Sequence, residues 1–323
     1  MQEKELQLAG GELRYMIKNE QAVITGYQGM ASELIIPENI EHFPVVAVEK
    51  KAFLSKKHLR KIVLPASIQS IGEWAFAYCS NLEEFVLGAC DDGDSRLSAD
   101  GDAEEVNVLD EKDSLQTMSF GRAVFLDCHS LKKIILPHKK EDIAHLMATA
   151  VSKMDAYYLL DVTEAGSAEW LNKWDARMLT LLHTPDQEGY SKQVLCGEED
   201  YGSTDFQAYL NMRRKSKVRL VLARLLHPTG LAEEMKLELE NYLLAHTSGC
   251  DSEEAWEVIR TEHGEDRAYY ELFASIGCVQ ADNLERILAD VGENYPEMKA
   301  YFMRVKAEQI GYNDFFEELN LDL

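Results

Sequence analysis

Hydrophobic positions in the N-terminal part of the chain, up to Pro137, return at a fixed interval. Leu59 corresponds to Leu82, and Phe53 corresponds to Phe76. Both pairs are 23 residues apart. Each unit contains the pattern L-x-x-I-x-L, in which apolar and polar residues alternate with the period of a β-strand. A short unit of this kind buries its apolar face only by stacking on copies of itself. The interval therefore predicts a solenoid of stacked repeats.

The clear repeats are preceded by less regular β-like segments. They are separated at Gly26 and Gly29, which indicate turns. A stack of strands needs a cover over its first unpaired strand, and we expect these segments to supply it. The β-like runs cover residues 13–17, 22–25 and 34–36.

An acidic insertion interrupts the third repeat after Leu87. The pattern then resumes so that Phe125 lies 49 residues after Phe76, which is one 23-residue unit plus 26 inserted residues. The insertion, about residues 88–116, includes the run DDGDSRLSADGDAEEVNVLDEKDS, in which ten of 24 residues are Asp or Glu. Because the spacing of an EF-hand loop is missing, we expect a solvated, mobile loop and no metal site.

The repeat units resemble the BspA-like leucine-rich repeats of bacteria. In that family an L-x-x-I-x-L-P strand precedes a segment S-I-x-x-x-A-F-x-x-C, and LRKIVLPASIQSIGEWAFAYCS follows this order. The resemblance covers roughly residues 11–137. It implies a right-handed solenoid of parallel strands, and it implies a function in binding other macromolecules, since members of the family are often surface or adhesive proteins. The matching residues include Pro65, Ile71, Ala75, Phe76 and Cys79.

After Pro137 the period of the apolar residues changes from two to about 3.6, which predicts amphipathic helices. The predicted fold class is therefore mixed α and β, with a parallel leucine-rich-repeat solenoid over residues 1–137 and an all-α domain of antiparallel helices over 138–323. We expect the first helix to close the open end of the solenoid. The predicted helices cover residues 141–153, 167–182, about 203–226, 231–246, 252–263, 267–276, 282–291 and 296–309.

Strand alternation gives each repeat strand a buried face and a concave outer face. With Leu59, Ile62 and Leu64 in the core, Lys61 and Val63 point outward. Equivalent positions in the other strands form two columns across the sheet, which we take as the candidate binding surface. The apolar column is Ile35, Val63, Val86 and Ile135, and the charged column is Glu33, Lys61, Glu84 and Lys133.

The two columns have different interpretations. The charged column alternates in sign, which predicts lateral pairing between neighbouring strands and requires no ligand. An uncovered apolar stripe on a solvated face often indicates contact with another molecule. Two alternatives remain open: the helical part covers the stripe, or β-branched residues are present only because they suit strands.

A second candidate surface is a basic segment in the predicted helix that ends at Leu226. No acid lies between Phe206 and Leu231, although the chain as a whole is acidic. Arg214 lies on the apolar stripe of this helix and must be paired if it is buried. Structural pairing, with residues 197–200 as candidate carboxylates, is favoured over a patch that binds phosphate or acidic ligands. The basic residues are Arg213, Arg214, Lys215, Lys217, Arg219 and Arg224.

The formal net charge of −24 argues against general binding of nucleic acid or anionic membranes. The polar N-terminal segment lacks the apolar stretch of a secretory signal, and no apolar run approaches the roughly 20 residues of a membrane span. We therefore expect a cytoplasmic protein. The six cysteines form no C-x-x-C pair, and Cys79 and Cys128, at one repeat position, are predicted to be buried thiols.

Motifs of known enzymes are missing from the sequence. It contains no H-E-x-x-H, G-x-x-x-x-G-K-[ST], G-x-S-x-G or G-x-G-x-x-G. We predict no catalytic residue, metal or cofactor, and we interpret the chain as a non-catalytic scaffold that binds an unidentified protein through its concave face. Two alternatives are an enzyme with a site in the helical part near residues 196–224, and a surface adhesin whose leader has been removed.

Overall fold

A computed structural model describes residues 3–88, 118–137, 139–190, 206–247, 254–292 and 294–307. It divides into two compact units, Met1–Met178 and Leu179–Leu323. The change from strands to helices after Pro137 thus lies inside the first unit. The acidic insertion predicted at about 88–116 falls, apart from Gly88, outside the described residues.

The chain begins with an antiparallel meander. Strands β1 (Lys4–Leu8), β2 (Gly11–Lys18) and β3 (Gln21–Gly29) pair in sequence order. The hydroxyl of Tyr27 donates to the carbonyl oxygen of Gly10 at 3.0 Å and ties β3 to the turn between the first two strands. Strand β1 was not predicted, because its five residues are mostly polar and solvent-exposed.

Each repeat contributes strands to two sheets. In the four-stranded sheet, β4, β7, β9 and β11 pair in parallel in that order. In the second sheet, β3 of the meander pairs in parallel with β6, and β6 is followed by β8 and β10, while the short β5 pairs with β6 in antiparallel fashion. The bounds are β4 (Glu33–Ile35), β5 (Asn39–Ile40), β6 (Phe43–Val48), β7 (Lys61–Leu64), β8 (Ser70–Ile71), β9 (Glu84–Leu87), β10 (Ser119–Phe120) and β11 (Lys133–Ile135).

A stack of aromatic rings forms the core of the repeats. Phe53, Phe76 and Phe125 are fully buried at equivalent positions. The ring of Phe76 lies 5.0 Å from that of Phe53 and 5.7 Å from that of Phe125, with planes 7° and 16° from parallel. Phe85 of β9 reaches Phe120 of β10, with ring centroids 5.9 Å apart, so the core joins the two sheets. Burial of rings this large contributes much of the stability of the stack.

The two repeat cysteines belong to this core. The thiols of Cys79 and Cys128 each donate to a backbone carbonyl of the preceding repeat at 3.1 Å. Burial raises the pKa of the Cys79 thiol to about 11 and also raises the pKa of Cys128. The prediction of buried, protonated thiols is confirmed for both residues.

The turn between the two sheets repeats its backbone conformation as well as its sequence. Lys51, Trp74 and Ala123 occupy the same turn position, and their φ angles are 61°, 58° and 49°. This left-handed conformation is costly for a residue that carries a Cβ. At Lys51 and Trp74 the turn amide bonds to the next repeat, as from Trp74 N–H to the Arg122 carbonyl at 3.2 Å.

Helices complete the first unit. Helix α1 (Glu141–Ser152) packs against β11, as predicted for the end of the stack, and buries the face that includes Ile143 and Met147. A 3-10 helix, Tyr157–Leu160, follows, and helix α2 (Ala168–His183) begins after Ser167, whose hydroxyl accepts from the amide of Trp170 at 3.1 Å.

The second unit is helical throughout its described part. Helix α3 packs against α4, α5 and α6, and α8 packs against α6 and α7. Asp266 caps α6 by accepting from the amide of Ala268 at 3.2 Å. Together with α1 and α2, these make eight α-helices among the described residues, as expected from the apolar periodicity. The bounds are α3 (Phe206–Leu226), α4 (Glu233–Ala245), α5 (Glu254–Glu262), α6 (Arg267–Ser275), α7 (Ala281–Val291) and α8 (Pro296–Val305).

Candidate recognition surface

The two columns predicted for the outer face of the repeats are aligned in the structure. In β4, β7, β9 and β11 the register places both columns directly across the four strands, and the buried column lies between them. The alignment holds although these strands begin 28, 23 and 49 residues apart along the chain, so it follows from the strand pattern that each repeat shares and not from equal unit length. The apolar column is Ile35, Val63, Val86 and Ile135; the charged column is Glu33, Lys61, Glu84 and Lys133; and the buried column is Leu34, Ile62, Phe85 and Ile134.

The apolar column is much less exposed at its centre than at its ends. Ile35 and Ile135 expose 50% and 36% of their surface, whereas Val63 and Val86 expose only 8% and 7%. A central valine is flanked by a neighbour on each side, so little of it reaches solvent. The expectation of a continuously exposed stripe is therefore wrong at its two central positions. Ile35 and Ile135 are the residues that a partner would reach.

The charged column pairs partly across strands and partly with a helix. Lys61 Nζ lies 3.2 Å from a carboxylate oxygen of Glu84, as the alternation of charge predicts. Lys133 instead donates to Glu141 at the start of α1, at 2.9 Å. Glu33, at the far end of the column, is exposed and has no ion-pair partner among the described residues. Pairs this exposed contribute little stability, so they mainly fix which charges face outward.

A second ion-pair ladder runs beside the first, one residue before each strand. The carboxylate of Glu83 binds Arg60 of the preceding repeat and Lys132 of the following repeat, the latter at 2.8 Å. The hydrogen bond from Lys132 is the main cause that lowers the pKa of Glu83. Three successive repeats are thus connected by one carboxylate at the edge of the sheet.

The basic helix α3 is paired with carboxylates of its own unit. Arg214 Nε donates to Asp186 at 3.0 Å, and another of its nitrogens lies 3.6 Å from Glu254. Lys217, whose side chain is nine-tenths buried, donates to the other oxygen of Asp186 at 2.7 Å. Burial alone would raise the pKa of Asp186, but the hydrogen bonds from Lys217 and Arg214 outweigh burial and lower it.

The other basic residues of α3 also lie against polar groups or inside the unit. Lys215 binds Glu257, and Arg219 donates to Glu262 at 2.8 Å. Arg224 is fully buried and donates to the carbonyl oxygen of His227 at 2.7 Å. Arg213 is partly buried. The structure thus agrees with structural pairing, although the carboxylates proposed at 197–200 lie outside the described residues.

The two acids that pair with Arg214 were not predicted from the sequence. Asp186 lies in a turn well before helix α3, and Glu254 opens α5, the second helix after α3, so no local spacing connects either acid to Arg214. The same cluster includes His246 and Tyr242, whose rings are 4.2 Å apart. Burial lowers the pKa of His246 and raises the pKa of Tyr242. These titratable groups converge, but the cations among them bind the carboxylates, which is typical of a structural network.

The repeat strands, the aligned columns and the buried Phe and Cys positions define a leucine-rich-repeat architecture for the N-terminal part. Residues 30–92 match the family model described as "BspA type Leucine rich repeat region (6 copies)", which confirms the resemblance predicted from the sequence. No curated protein matches the chain.

The solved structures that the chain resembles are bacterial leucine-rich-repeat proteins. One, from T. pallidum, is 24% identical with a TM-score of 0.30, covering 42% of this chain and 50% of that one. A leucine-rich cell surface protein from Faecalibacterium prausnitzii is 20% identical with a TM-score of 0.29, covering 41% and 30%. A protein from Bacteroides ovatus is 20% identical with a TM-score of 0.28, covering 41% and 29%. The chain thus spans half or less of the length of these relatives.

None of the described helices combines the length and the apolar character needed to cross a bilayer.

Proposed function

We propose that this protein is a non-catalytic recognition scaffold that binds another protein through the outer face of its four-stranded sheet. In this proposal the sheet is the concave face of a right-handed solenoid. The observation that supports the proposal most is the register of the strands. It places Ile35 and Ile135 at the two ends of one column, where both side chains are partly exposed beside the charged column.

The chemistry of this face suits a protein partner. Exposed β-branched side chains provide apolar contact, while Glu33 and the Lys61–Glu84 pair provide polar contacts around it. Protein interfaces combine an apolar centre with a polar rim in this way. The matching family model describes a leucine-rich repeat and not a catalytic domain, which supports an interaction or adhesin-type scaffold.

The test uses the exposed ends of the column and leaves the buried valines unchanged. A glutamate at Val63 would be buried and would destabilise the sheet, so loss of binding by such a variant would have two causes. Ile35→Glu with Ile135→Glu places the new charges at exposed positions. Leu237→Glu with Met303→Glu is the matched control, because these two residues are similarly exposed, at 58% and 55%, on α4 and α8.

The experiment compares affinity capture from a lysate of the native host by wild type, test variant and control variant of equal thermal stability. We expect a captured protein to bind the test variant at least tenfold more weakly and the control like wild type, since an unpaired charge buried at an interface costs about 1.4 kcal/mol or more. Equal binding by all three would remove the sheet face from the proposal.

This function has two forms, a cytoplasmic scaffold and a surface adhesin, which differ in where the protein is located. The family resemblance supports a surface adhesin, and a cytoplasmic scaffold is the alternative. Antibody labelling of intact host cells, compared with permeabilised cells, distinguishes the two. Labelling of intact cells would favour the adhesin, and labelling only after permeabilisation would favour the scaffold.

A further inference from the structure

A groove of about 750 Å³ lies in the first unit, away from the candidate recognition surface. It is formed where the turns after β8 and β10 meet the 3-10 helix Tyr157–Leu160. Four aromatic side chains line it, and Tyr158 exposes 62% of its surface. This volume is within the range of sites that bind small molecules or a few residues of a peptide. The aromatic residues are Trp74, Phe120, Tyr157 and Tyr158.

The groove arises from a change of residue size at one position of the repeat. The left-handed turn position holds Trp74 in one repeat and Ala123 in the next, so a large side chain borders a space that the small one leaves open. A tryptophan in this conformation carries backbone strain, and its side chain is only partly buried. Packing of the repeat core does not require it, because Lys51 serves at the same position in the preceding repeat.

Three basic side chains stand at or beside the groove, although the chain carries a net charge of −24. The ammonium groups of Lys50 and Lys51 lie 4.9 and 4.8 Å from the centroid of the Trp74 ring. Arg122 lines the groove, and its guanidinium has no carboxylate within ion-pair distance among the described residues. The guanidinium of Arg122 is thus available to an anionic group of a ligand.

Three acidic groups, Glu73, Asp155 and Asp127, lie near the groove, and Asp127 lies 3.5 Å from His129. Glu73 binds Lys50 at 2.7 Å, and the hydrogen bond from Lys50 lowers the pKa of Glu73. The hydroxyl of Tyr157 donates to Asp155 at 3.4 Å, and burial raises the pKa of Tyr157 to about 12. Lys50 thus neutralises Glu73, whereas Arg122 has no carboxylate within ion-pair distance in the part of the chain that the structure describes.

We propose that this groove binds a short acidic segment of a partner protein. A carboxylate of the segment binds the guanidinium of Arg122, whose planar fork matches carboxylate geometry. A neighbouring aromatic or aliphatic side chain packs on Trp74 and Tyr158. The apolar wall of Phe120, Ala123 and Leu126 accommodates this second side chain, and binding of an acidic sugar is one outcome of the test.

This proposal rests on the proposed function only because both take a protein as the partner. The groove is a different surface from the four-stranded sheet. The probe is an array of hexapeptides that each combine one aromatic and one acidic residue, with amide analogues of the acids beside them. We expect the wild-type chain to bind a subset of the acidic peptides and not their amide analogues. The Ile35→Glu/Ile135→Glu variant should bind the same subset, so that failure of either proposal is seen separately.

Two variants test the site itself. Arg122→Gln should weaken binding of the selected peptides roughly tenfold or more, whereas Arg304→Gln, an exposed arginine on α8, should not change it. Ala123→Trp should abolish binding by filling the groove with the side chain that the preceding repeat already holds in the same backbone conformation.

Three results would overturn the proposal. The first is that the wild-type chain binds no acidic peptide of the array. The second is that Arg122→Gln and Ala123→Trp both bind the peptides as the wild type does. The third is binding of trigalacturonate, an acidic sugar, in place of the peptides. Circular dichroism of each variant checks that the fold is kept.

Discussion

Removing the ammonium of Lys217 tests whether the basic helix α3 is held by pairing inside its own unit. Lys217→Met keeps the length and the apolar stem of the side chain but removes the donor to Thr184 O at 2.6 Å and to Asp186 at 2.7 Å. Breaking a buried ion pair costs about 3–5 kcal/mol. Asp186 keeps Arg214 and is partly open to solvent, so we expect a loss of about 2–3 kcal/mol.

Native-state hydrogen exchange, read by mass spectrometry on peptides from α3, measures this loss locally. It avoids the assumption that two compact units unfold in one step. Lys236→Met, an exposed lysine on α4, is the matched control and should change the opening free energy by less than about 0.5 kcal/mol. With Asp186→Asn in a double-mutant cycle, we expect a coupling of about 1–2 kcal/mol between positions 186 and 217.

Unchanged protection of α3 in Lys217→Met would refute the structural interpretation. So would strict additivity of the two substitutions, because it would mean that the ammonium and the carboxylate do not stabilise each other. Either result would return the basic residues to the class of ligand-binding groups.

Three further predictions concern pH, thiol reactivity and packing. Burial lowers the pKa of His246, so the unfolded chain binds a proton that the folded chain does not bind. The melting temperature of the second unit should therefore fall as pH drops below about 6.5, and His246→Gln should flatten that slope. Burial raises the pKa of Cys79 to about 11 and also that of Cys128, so alkylation at about pH 8 should be at least tenfold slower in native than in denatured protein, as peptide mass spectrometry would show. Phe76→Ala should cost about 3–5 kcal/mol in urea denaturation, and Ile35→Ala less than about 1 kcal/mol; equal losses would contradict the burial difference between them.

The repeat strands could be predicted because one local rule decides them. Alternation within L-x-x-I-x-L places Ile62 inside and Lys61 outside, and the same pattern in neighbouring strands then aligns the columns. The exposure of Val63 could not be predicted in this way, because it depends on the side chains that adjacent strands place beside it. Strand β1 was missed because polar residues reveal no period.

The helical part shows the same limit. Apolar periodicity predicted each described helix within a few residues, and the position of Arg214 on the apolar stripe predicted that it is paired. The partners Asp186 and Glu254 were beyond the reach of the sequence, since tertiary packing alone brings them to Arg214. Likewise, the groove beside Trp74 depends on the 3-10 helix that follows α1, and no repeat pattern contains that helix.

The aromatic stack has a consequence for how this chain accommodates new sequence. Phe76 meets Phe53 across one ordinary repeat and Phe125 across the repeat that carries the insertion, yet the ring distances are similar, at 5.0 and 5.7 Å. Closing the longer loop costs only about 0.7 kcal/mol more, since loop entropy grows with the logarithm of length. A single junction between repeats can therefore lengthen, shorten or change composition over generations while the stacked rings on either side stay in register. The repeats tolerate such a change at one rim, whereas a single inserted residue within a strand would turn every outward side chain of that strand inward.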